Sequence, residues 1–111
     1  MSRRLAKINK NIQRVFGEII AREADLPRNI LVTISRVETA DNLQSAIVWL
    51  YVSPLDQAEL VLKQLQPQMY DLQGAFNRVL NTRPLPRLKL KIDTGAAHSD
   101  QINRRLNQPD L

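Results

Sequence analysis

The apolar residues in the first half of the chain change their spacing once, and this change constrains the fold more than any other feature. Over residues 3–24 they recur at steps of three and four, which is the period of an amphipathic helix. Residues 29–37 and 44–52 instead show a period of two and are rich in β-branched and aromatic residues, which predicts two strands. The connection at residues 40–42 carries turn residues, so we expect an antiparallel hairpin.

The second half of the chain returns to helical spacing and then to one more strand. Ser53 and Pro54 predict a helix start, with serine as the cap and proline in the first helical position. Pro67 then separates two predicted helices, over residues 56–66 and 68–81. The first of these is expected to turn three apolar side chains inward, namely Leu60, Val61 and Leu65. The second carries the apolar residues Met69, Leu72, Phe76, Val79 and Leu80.

The third predicted strand covers residues 87–92, where Leu88, Leu90 and Ile92 alternate with cations. Residues 99–107 are expected to form a short last helix. The predicted class is therefore α+β, with helices on one face of a three-stranded sheet. A chain of 111 residues is the usual size of one domain. We assign residues 1–106 to it and residues 107–111 to a flexible C-terminal tail.

The composition argues against most kinds of catalytic site. The chain has no cysteine, which excludes disulfides and thiolate chemistry and fits a reducing compartment. It has three glycines, too few for a glycine-rich phosphate loop, and its acids show no catalytic spacing. The one histidine, His98, lacks the partners that would orient a general base. We therefore expect no enzyme activity, no metal and no cofactor, and no apolar run is long enough to span a membrane.

The charge of the chain points to a polyanionic partner. The net charge is +5, and cations are concentrated at the two ends of the sequence around an acidic middle. Such a basic balance is typical of nucleic-acid-binding domains. The apolar positions can all be satisfied within one core and leave no heptad seam, so we expect a monomer.

Cations form a stripe on the first predicted helix, opposite its apolar side. Because no acid precedes Glu18, we expect this stripe to lack acidic partners and to contact phosphates. Two other interpretations remain open, namely a merely solvated helix face and a transit peptide, which is also amphipathic and acid-poor. The candidate RNA-binding residues of this helix are Arg3, Arg4, Lys7, Lys10 and Arg14.

A second group of cations accompanies the third predicted strand. Lysines on an edge strand also block edge-to-edge pairing, so edge protection and RNA contact are both open here. The candidates in this group are Arg78, Arg83, Arg87, Lys89 and Lys91. Trp49 and Tyr51 share one strand face, where they either stack on bases or simply cover apolar surface.

Several short patterns occur in an order that resembles ribosome-binding factor A. They are Val15 and Ile19 in the opening helix, Val32-Thr33-Ile34-Ser35-Arg36-Val37, Leu43-x-x-Ala46-x-Val48, Gly74-x-Phe76, and Pro86-x-Leu88-x-Leu90-x-x-Asp93. The last pattern is the most specific. The resemblance covers nearly the whole chain, from the first helix to Leu106.

The resemblance implies a type II KH-like fold of order α-β-β-α-α-β. Members of the family lack the Gly-x-x-Gly loop of ordinary KH domains and carry an Ala-x-Gly helix kink in its place. Leu72-Gln73-Gly74 matches this motif with the glycine kept and the alanine replaced, which implies a kink at Gly74. Asn42 and Asn77 also depart from the family pattern, where aspartate and arginine are usual.

The resemblance further implies a cytoplasmic assembly factor without catalysis of its own. Such a factor binds the immature small ribosomal subunit and its rRNA, assists late maturation and processing of the precursor rRNA end, and leaves before translation. An assembly GTPase is a further implied partner, and growth in the cold is an implied context. From the residues alone, a protein-interaction or general nucleic-acid-binding module with non-specific basic faces remains the alternative. A small RNA-processing enzyme is disfavoured by the missing acid/base residues.

Overall fold

Three helices pack against one face of a three-stranded sheet. The structure, a computed structural model, describes residues 3–80 and 85–94. Its regular elements are α1 (Arg3–Glu23), β1 (Leu31–Thr39), β2 (Ser45–Ser53), α2 (Ala58–Leu65), α3 (Met69–Val79) and β3 (Arg87–Ile92). Arg83, His98, the predicted helix over residues 99–107 and the predicted tail lie outside the described residues.

The strand order β1-β2-β3 places β2 in the centre of the sheet. β1 pairs with β2 antiparallel, which confirms the predicted hairpin. β3 pairs with β2 in parallel, so the chain must cross over between them, and α2 and α3 form this crossover. The α+β class and the predicted order of elements are thereby confirmed.

The core lies between the helices and the inner face of the sheet. β2 contributes every second residue to it, which confirms the predicted strand face of Ala46, Val48, Leu50 and Val52. The aromatic rings of Phe16 on α1 and Phe76 on α3 meet edge to face, with centroids 6.0 Å apart. α1 buries one side in this core through Ile12, Val15, Phe16, Ile19 and Ile20, as its apolar spacing predicts.

β1 departs from the regular alternation that its sequence predicts. A bulge shifts the register between Ile34 and Arg36, so that Ser35 is the extra residue and Arg36 lies opposite Trp49. Ile34 and Val37 are both buried as a result, although they are three positions apart. The Gln13 side-chain amide on α1 donates a hydrogen bond to the Ile34 carbonyl at 2.8 Å, which ties the bulged strand to the helix above it.

Two helix predictions are wrong in detail. Leu60 is 44% exposed, because α2 turns Ala58, Val61 and Leu65 towards the core and leaves Leu60 on its outer side. Pro54 is extended and occupies the cap position before a 3-10 turn (Leu55–Gln57), instead of the first helical position. Ser53 is the last residue of β2, so the predicted serine cap is absent.

The crossover is interrupted at Pro67. A 3-10 turn (Gln66–Gln68) separates α2 from α3, because proline cannot donate the backbone hydrogen bond that a continuous helix needs. Gly74 lies inside α3, which is helical from Met69 to Val79. The kink at Gly74 that the family resemblance implies remains a prediction. α3 ends at Val79, which is exposed, and the extended Leu80 is buried instead.

Candidate nucleic-acid interface

The cationic stripe of α1 faces solvent along the side opposite the core. Arg3, Lys7 and Lys10 are all exposed, because the packing of Ile12 and Phe16 turns the other side of the helix inward. Within residues 3–80 and 85–94, none of these three cations takes part in an ion pair. Arg4 is exposed next to them. These side chains are therefore accessible from solvent, and their contact with phosphates stays a prediction.

Arg14 is the exception to the prediction that the stripe lacks acidic partners. Its Nη1 lies 3.9 Å from Oε1 of Glu18, and its Nη2 donates to Oδ1 of Asn11 at 2.7 Å. The prediction is wrong for Arg14 because Glu18 lies one helical turn beyond it, at a spacing where side chains of opposite charge meet. These contacts engage the guanidinium, which makes Arg14 a weaker candidate than Lys7 or Lys10. The difference is small, because an exposed i,i+4 pair contributes only about 0.3–0.5 kcal/mol.

Two cations of the second group line a groove along α3. Arg78 near the end of α3 and Arg87 at the start of β3 are exposed, and both line an open groove of about 950 Å³. Tyr70 projects from the same helix and is 89% exposed, and Gly74 lies one turn after it. A Cβ atom at Gly74 would lie 3.5 Å from Nη1 of Arg78, so the guanidinium covers the glycine. Sequence reasoning did not single out Tyr70, because only its exposure in the structure distinguishes it from a core aromatic.

The start of β3 is held in place by one side chain of α3. The Gln73 amide nitrogen donates to the Pro86 carbonyl at 3.1 Å, and its oxygen accepts from the Leu88 backbone nitrogen at 2.8 Å. The same nitrogen donates to Oδ1 of Asn77 at 3.0 Å. Arg87 lies between the two backbone groups that Gln73 binds. Gln73 therefore fixes the backbone at the start of β3, and with it the position from which the Arg87 side chain extends.

α1 and α3 run antiparallel, which brings part of the two cation groups to one end of the domain. Gln68 at the start of α3 exchanges hydrogen bonds with the Asp25 backbone just after α1, and Phe76 meets Phe16 further along. The end of α3, with Arg78, therefore points to the same end of the domain as the N-terminal half of α1.

Exposed cations alternate with buried leucines along β3, so Arg87, Lys89 and Lys91 share the face of the sheet that points away from the helices. Arg87, at the first position of the strand, also borders the groove along α3. Ile47, Trp49 and Tyr51 point away from the helices, and Lys89 and Lys91 are the register partners of Ile47 and Trp49. Both lysines are exposed, and β3 is an edge strand. Its position therefore fits edge protection as well as RNA contact.

Trp49 is surrounded by charged side chains on this face. The Arg36 guanidinium carbon is 4.7 Å from the centroid of the ring, and the Lys91 ammonium nitrogen is 5.7 Å from it. The indole nitrogen donates to Oε1 of Glu38 at 2.7 Å, and Glu38 also pairs with Arg36 at 3.3 Å. Sequence reasoning missed Arg36 and Glu38, because regular alternation from Ile34 would turn Arg36 into the core.

Other kinds of site find no support in the described residues. No group of three or more His, Cys, Asp or Glu side chains within residues 3–80 and 85–94 is arranged to hold a metal ion. No helix in this part of the chain is long and apolar enough to cross a membrane.

The sequence matches one known protein family over most of its length. The family model described as ribosome-binding factor A matches residues 4–106. The chain belongs to the ribosome-binding factor A family. Among the curated members of this family, a protein of Akkermansia muciniphila is 34% identical over 104 residues, which cover 93% of this chain and 82% of the relative. A Thermomicrobium roseum ribosome-binding factor A is 30% identical over 108 residues, covering 96% and 84% respectively.

Solved structures of ribosome-binding factor A share the fold. The crystal structure of the Thermus thermophilus protein matches with a TM-score of 0.70 at 23% identity, covering 79% of this chain and 94% of that chain. The solution NMR structure of a Thermotoga maritima protein matches with a TM-score of 0.65 at 22% identity, covering 82% and 88%. A homology model of the Thermus thermophilus ribosome-binding factor A, fitted into the cryo-EM map of its 30S complex, matches with a TM-score of 0.63 at 24% identity, covering 78% and 92%.

Proposed function

We propose that this chain binds the immature small ribosomal subunit and contacts its rRNA with the cationic side of α1. The observation that carries the proposal is the stripe of Arg3, Lys7 and Lys10, which is exposed and unpaired within the described residues. A row of cations without acidic neighbours suits a phosphate backbone better than it suits solvation alone, because a solvated helix face normally mixes both signs. Membership of the family and the 30S complex of the Thermus thermophilus relative support the choice of particle.

The second part of the proposal concerns what binding achieves. The factor acts late in maturation, assists processing of the precursor rRNA end, and leaves before translation. It needs no catalytic group for this, because a protein that binds one rRNA conformation more tightly than another shifts the population towards it. That effect matters most in the cold, where misfolded rRNA rearranges slowly. The proposed location is the cytoplasm, the proposed state is a monomer, and an assembly GTPase is a further proposed partner.

Sedimentation of cell extract tests the choice of particle. The tagged protein is expected in fractions that contain free small subunits and their precursors, and to be depleted from translating ribosomes. Lys7→Gln combined with Lys10→Gln is expected to move it to the soluble fractions. Arg28→Gln combined with Lys63→Gln removes the same charge from exposed positions outside the stripe and serves as the matched control. Equal distribution of wild-type protein and stripe variant across the gradient would contradict the proposal and favour a general interaction module.

Depletion of the protein tests the role in processing. Cells without it are expected to accumulate small-subunit rRNA with an unprocessed end, most strongly at low temperature. The control variant is expected to restore processing and the stripe variant is not. Normal rRNA ends in depleted cells would reject the processing role and leave subunit binding as a separate result. Recovery of a GTPase from the same gradient fractions tests the additional partner.

A further inference from the structure

We propose that the open face of the sheet is a second RNA-binding surface, so that one molecule holds two RNA segments at once. The surface consists of Arg36, Trp49 and Lys91 in one row across the three strands, with Arg87, Lys89 and Tyr51 beside it. The inference rests on the proposed rRNA binding and adds a site on the side of the molecule opposite α1.

The charge of this face selects a polyanion. Arg87, Lys89 and Lys91 occur at every second position of β3, so their side chains leave the same face about 6.6 Å apart. Arg36, on β1, is the fourth cation of this face. The one acid that the described strands place on this face is Glu38, which already binds the Trp49 indole and Arg36. Cations at a regular spacing suit the repeating charge of a phosphate backbone, whereas an acidic protein surface has no such repeat.

The centre of the row suits a nucleotide better than a bare phosphate. Trp49 offers a large aromatic ring, and Tyr51, two residues along β2, is 37% exposed. Bases of single-stranded RNA stack on such rings beside a cationic groove. In the free protein the head groups of Arg36 and Lys91 lie over the Trp49 ring. Phosphates bind these cations more strongly than the ring does, so RNA draws them away and frees the ring for a base.

The two cationic surfaces cannot serve one RNA helix. The α1 stripe points away from the sheet, because the opposite side of α1 is buried against it. Trp49 and Lys91 point the other way, because Val48, Leu50 and Leu90 occupy the inner face of their strands. The core lies between the two surfaces. RNA bound at both must therefore come from two segments, and the protein fixes the position of one relative to the other.

Trp49 is the only tryptophan of the chain, so its fluorescence reports directly on the proposed site. The probe is protein-free small-subunit rRNA, which contributes no tryptophan emission. Saturating RNA is expected to quench Trp49, and added salt is expected to reverse the quenching. Arg36→Gln combined with Lys91→Gln should abolish the quenching, while Lys7→Gln with Lys10→Gln should retain it at reduced affinity. The Arg28→Gln, Lys63→Gln pair is again the control, and circular dichroism verifies that each variant is folded.

A capture assay tests whether two segments are held at once. Biotin-labelled rRNA on beads is expected to retain fluorescent rRNA when wild-type protein is present, and to retain little with either double variant. Unchanged Trp49 emission when RNA is fully bound would overturn the second surface, and absence of capture by wild-type protein would overturn simultaneous binding. In both cases co-sedimentation with small subunits would still stand. Loss of RNA binding by all proteins, together with loss of co-sedimentation, would instead reject the proposed function.

Discussion

Arg36 lies directly opposite Trp49 across the β1–β2 pair, with its guanidinium carbon 4.7 Å from the ring centroid. This relationship exists because Ser35 is an extra residue in β1. Without the bulge, Arg36 would follow Ile34 into the core and Val37 would point to solvent. The bulge reverses both outcomes, and its backbone is supported by Gln13 at the Ile34 carbonyl and by the Ser35 hydroxyl at the Trp49 carbonyl.

Deletion of Ser35 is predicted to be tolerated. The shortened strand would alternate regularly, with Ile34 and Val37 still buried and Arg36 still on the open face. We expect a loss of about 1–2 kcal/mol in the free energy of unfolding, because the hydrogen bonds at the bulge are lost. Denaturant unfolding followed by circular dichroism measures this.

Deletion of Val37 is the matched comparison within the same strand. It removes a buried side chain and forces either Arg36 or Glu38 towards the core, so the variant is expected not to fold. If the Ser35 deletion were as damaging as the Val37 deletion, the bulge would be needed for folding and not only for the direction of Arg36.

Most of the fold could be predicted from the spacing of apolar residues, since a long amphipathic helix, an alternating hairpin and an alternating last strand each leave a clear period. Ser35 shows where that reasoning stops. One extra residue changes the face of everything after it, and its position depends on contacts with α1 and β2 that the local pattern does not contain. The prediction that Leu60 is buried is wrong for a related reason, because α2 is too short for the spacing of its apolar residues to determine which side is buried.

Leu90→Asp is predicted to unfold the protein, whereas Lys89→Asp leaves it folded. Leu90 is 8% exposed and packs in the core, so a carboxylate at this position is expected to lower the free energy of unfolding by at least about 3 kcal/mol. Lys89 is exposed on the other face of β3, where a substitution changes stability by about 0.5 kcal/mol. Thermal melting of both variants measures the difference in stability. A larger loss of stability in Lys89→Asp would mean that the β3 register is off by one.

Gln73→Ala is predicted to lower stability by about 1–3 kcal/mol, although Gln73 is polar and not fully buried. The change leaves the Pro86 carbonyl and the Leu88 backbone nitrogen without their side-chain partner. Asn77→Ala, on the exposed side of α3, is the comparison and should cost much less. Faster amide exchange at Leu88 in the Gln73 variant would locate the effect at the start of β3. Equal losses in the two variants would show that Gln73 does not anchor this strand.

Lys7→Gln with Lys10→Gln is predicted to flatten the salt dependence of rRNA binding while the fold is retained, since glutamine is a comparable helix former. Each lost phosphate contact should reduce the slope of log affinity against log salt by roughly 0.7–0.9. Arg14→Gln should change the slope less, because Arg14 is already engaged with Glu18 and Asn11. Filter binding over a range of salt concentrations measures this slope for the wild-type protein and for both variants. A larger effect of Arg14→Gln would show that the ion pair opens when RNA binds.

The candidate interface was less accessible to sequence reasoning than the fold. The sequence spacing alone predicts that Lys7 and Lys10 lie on one side of a helix, because both belong to the same element. It does not reveal that Lys91 and Arg36 meet over Trp49, because their three strands are joined by a bulge and a crossover. The groove that Tyr70 and Arg87 share could not be predicted for the same reason, since α3 and β3 are adjacent in space but separated in the chain.

The parallel pairing of β3 with β2 has a consequence for the order in which the protein acquires its properties. The hairpin of β1 and β2 forms from neighbouring residues, whereas β3 can join only after α2 and α3 have closed the crossover. A chain still emerging from the ribosome already carries Arg36 and Trp49, but it has no Lys91 to complete the row. The row is therefore complete only after synthesis has passed β3, so the proposed contact with a second RNA segment forms later than the α1 stripe.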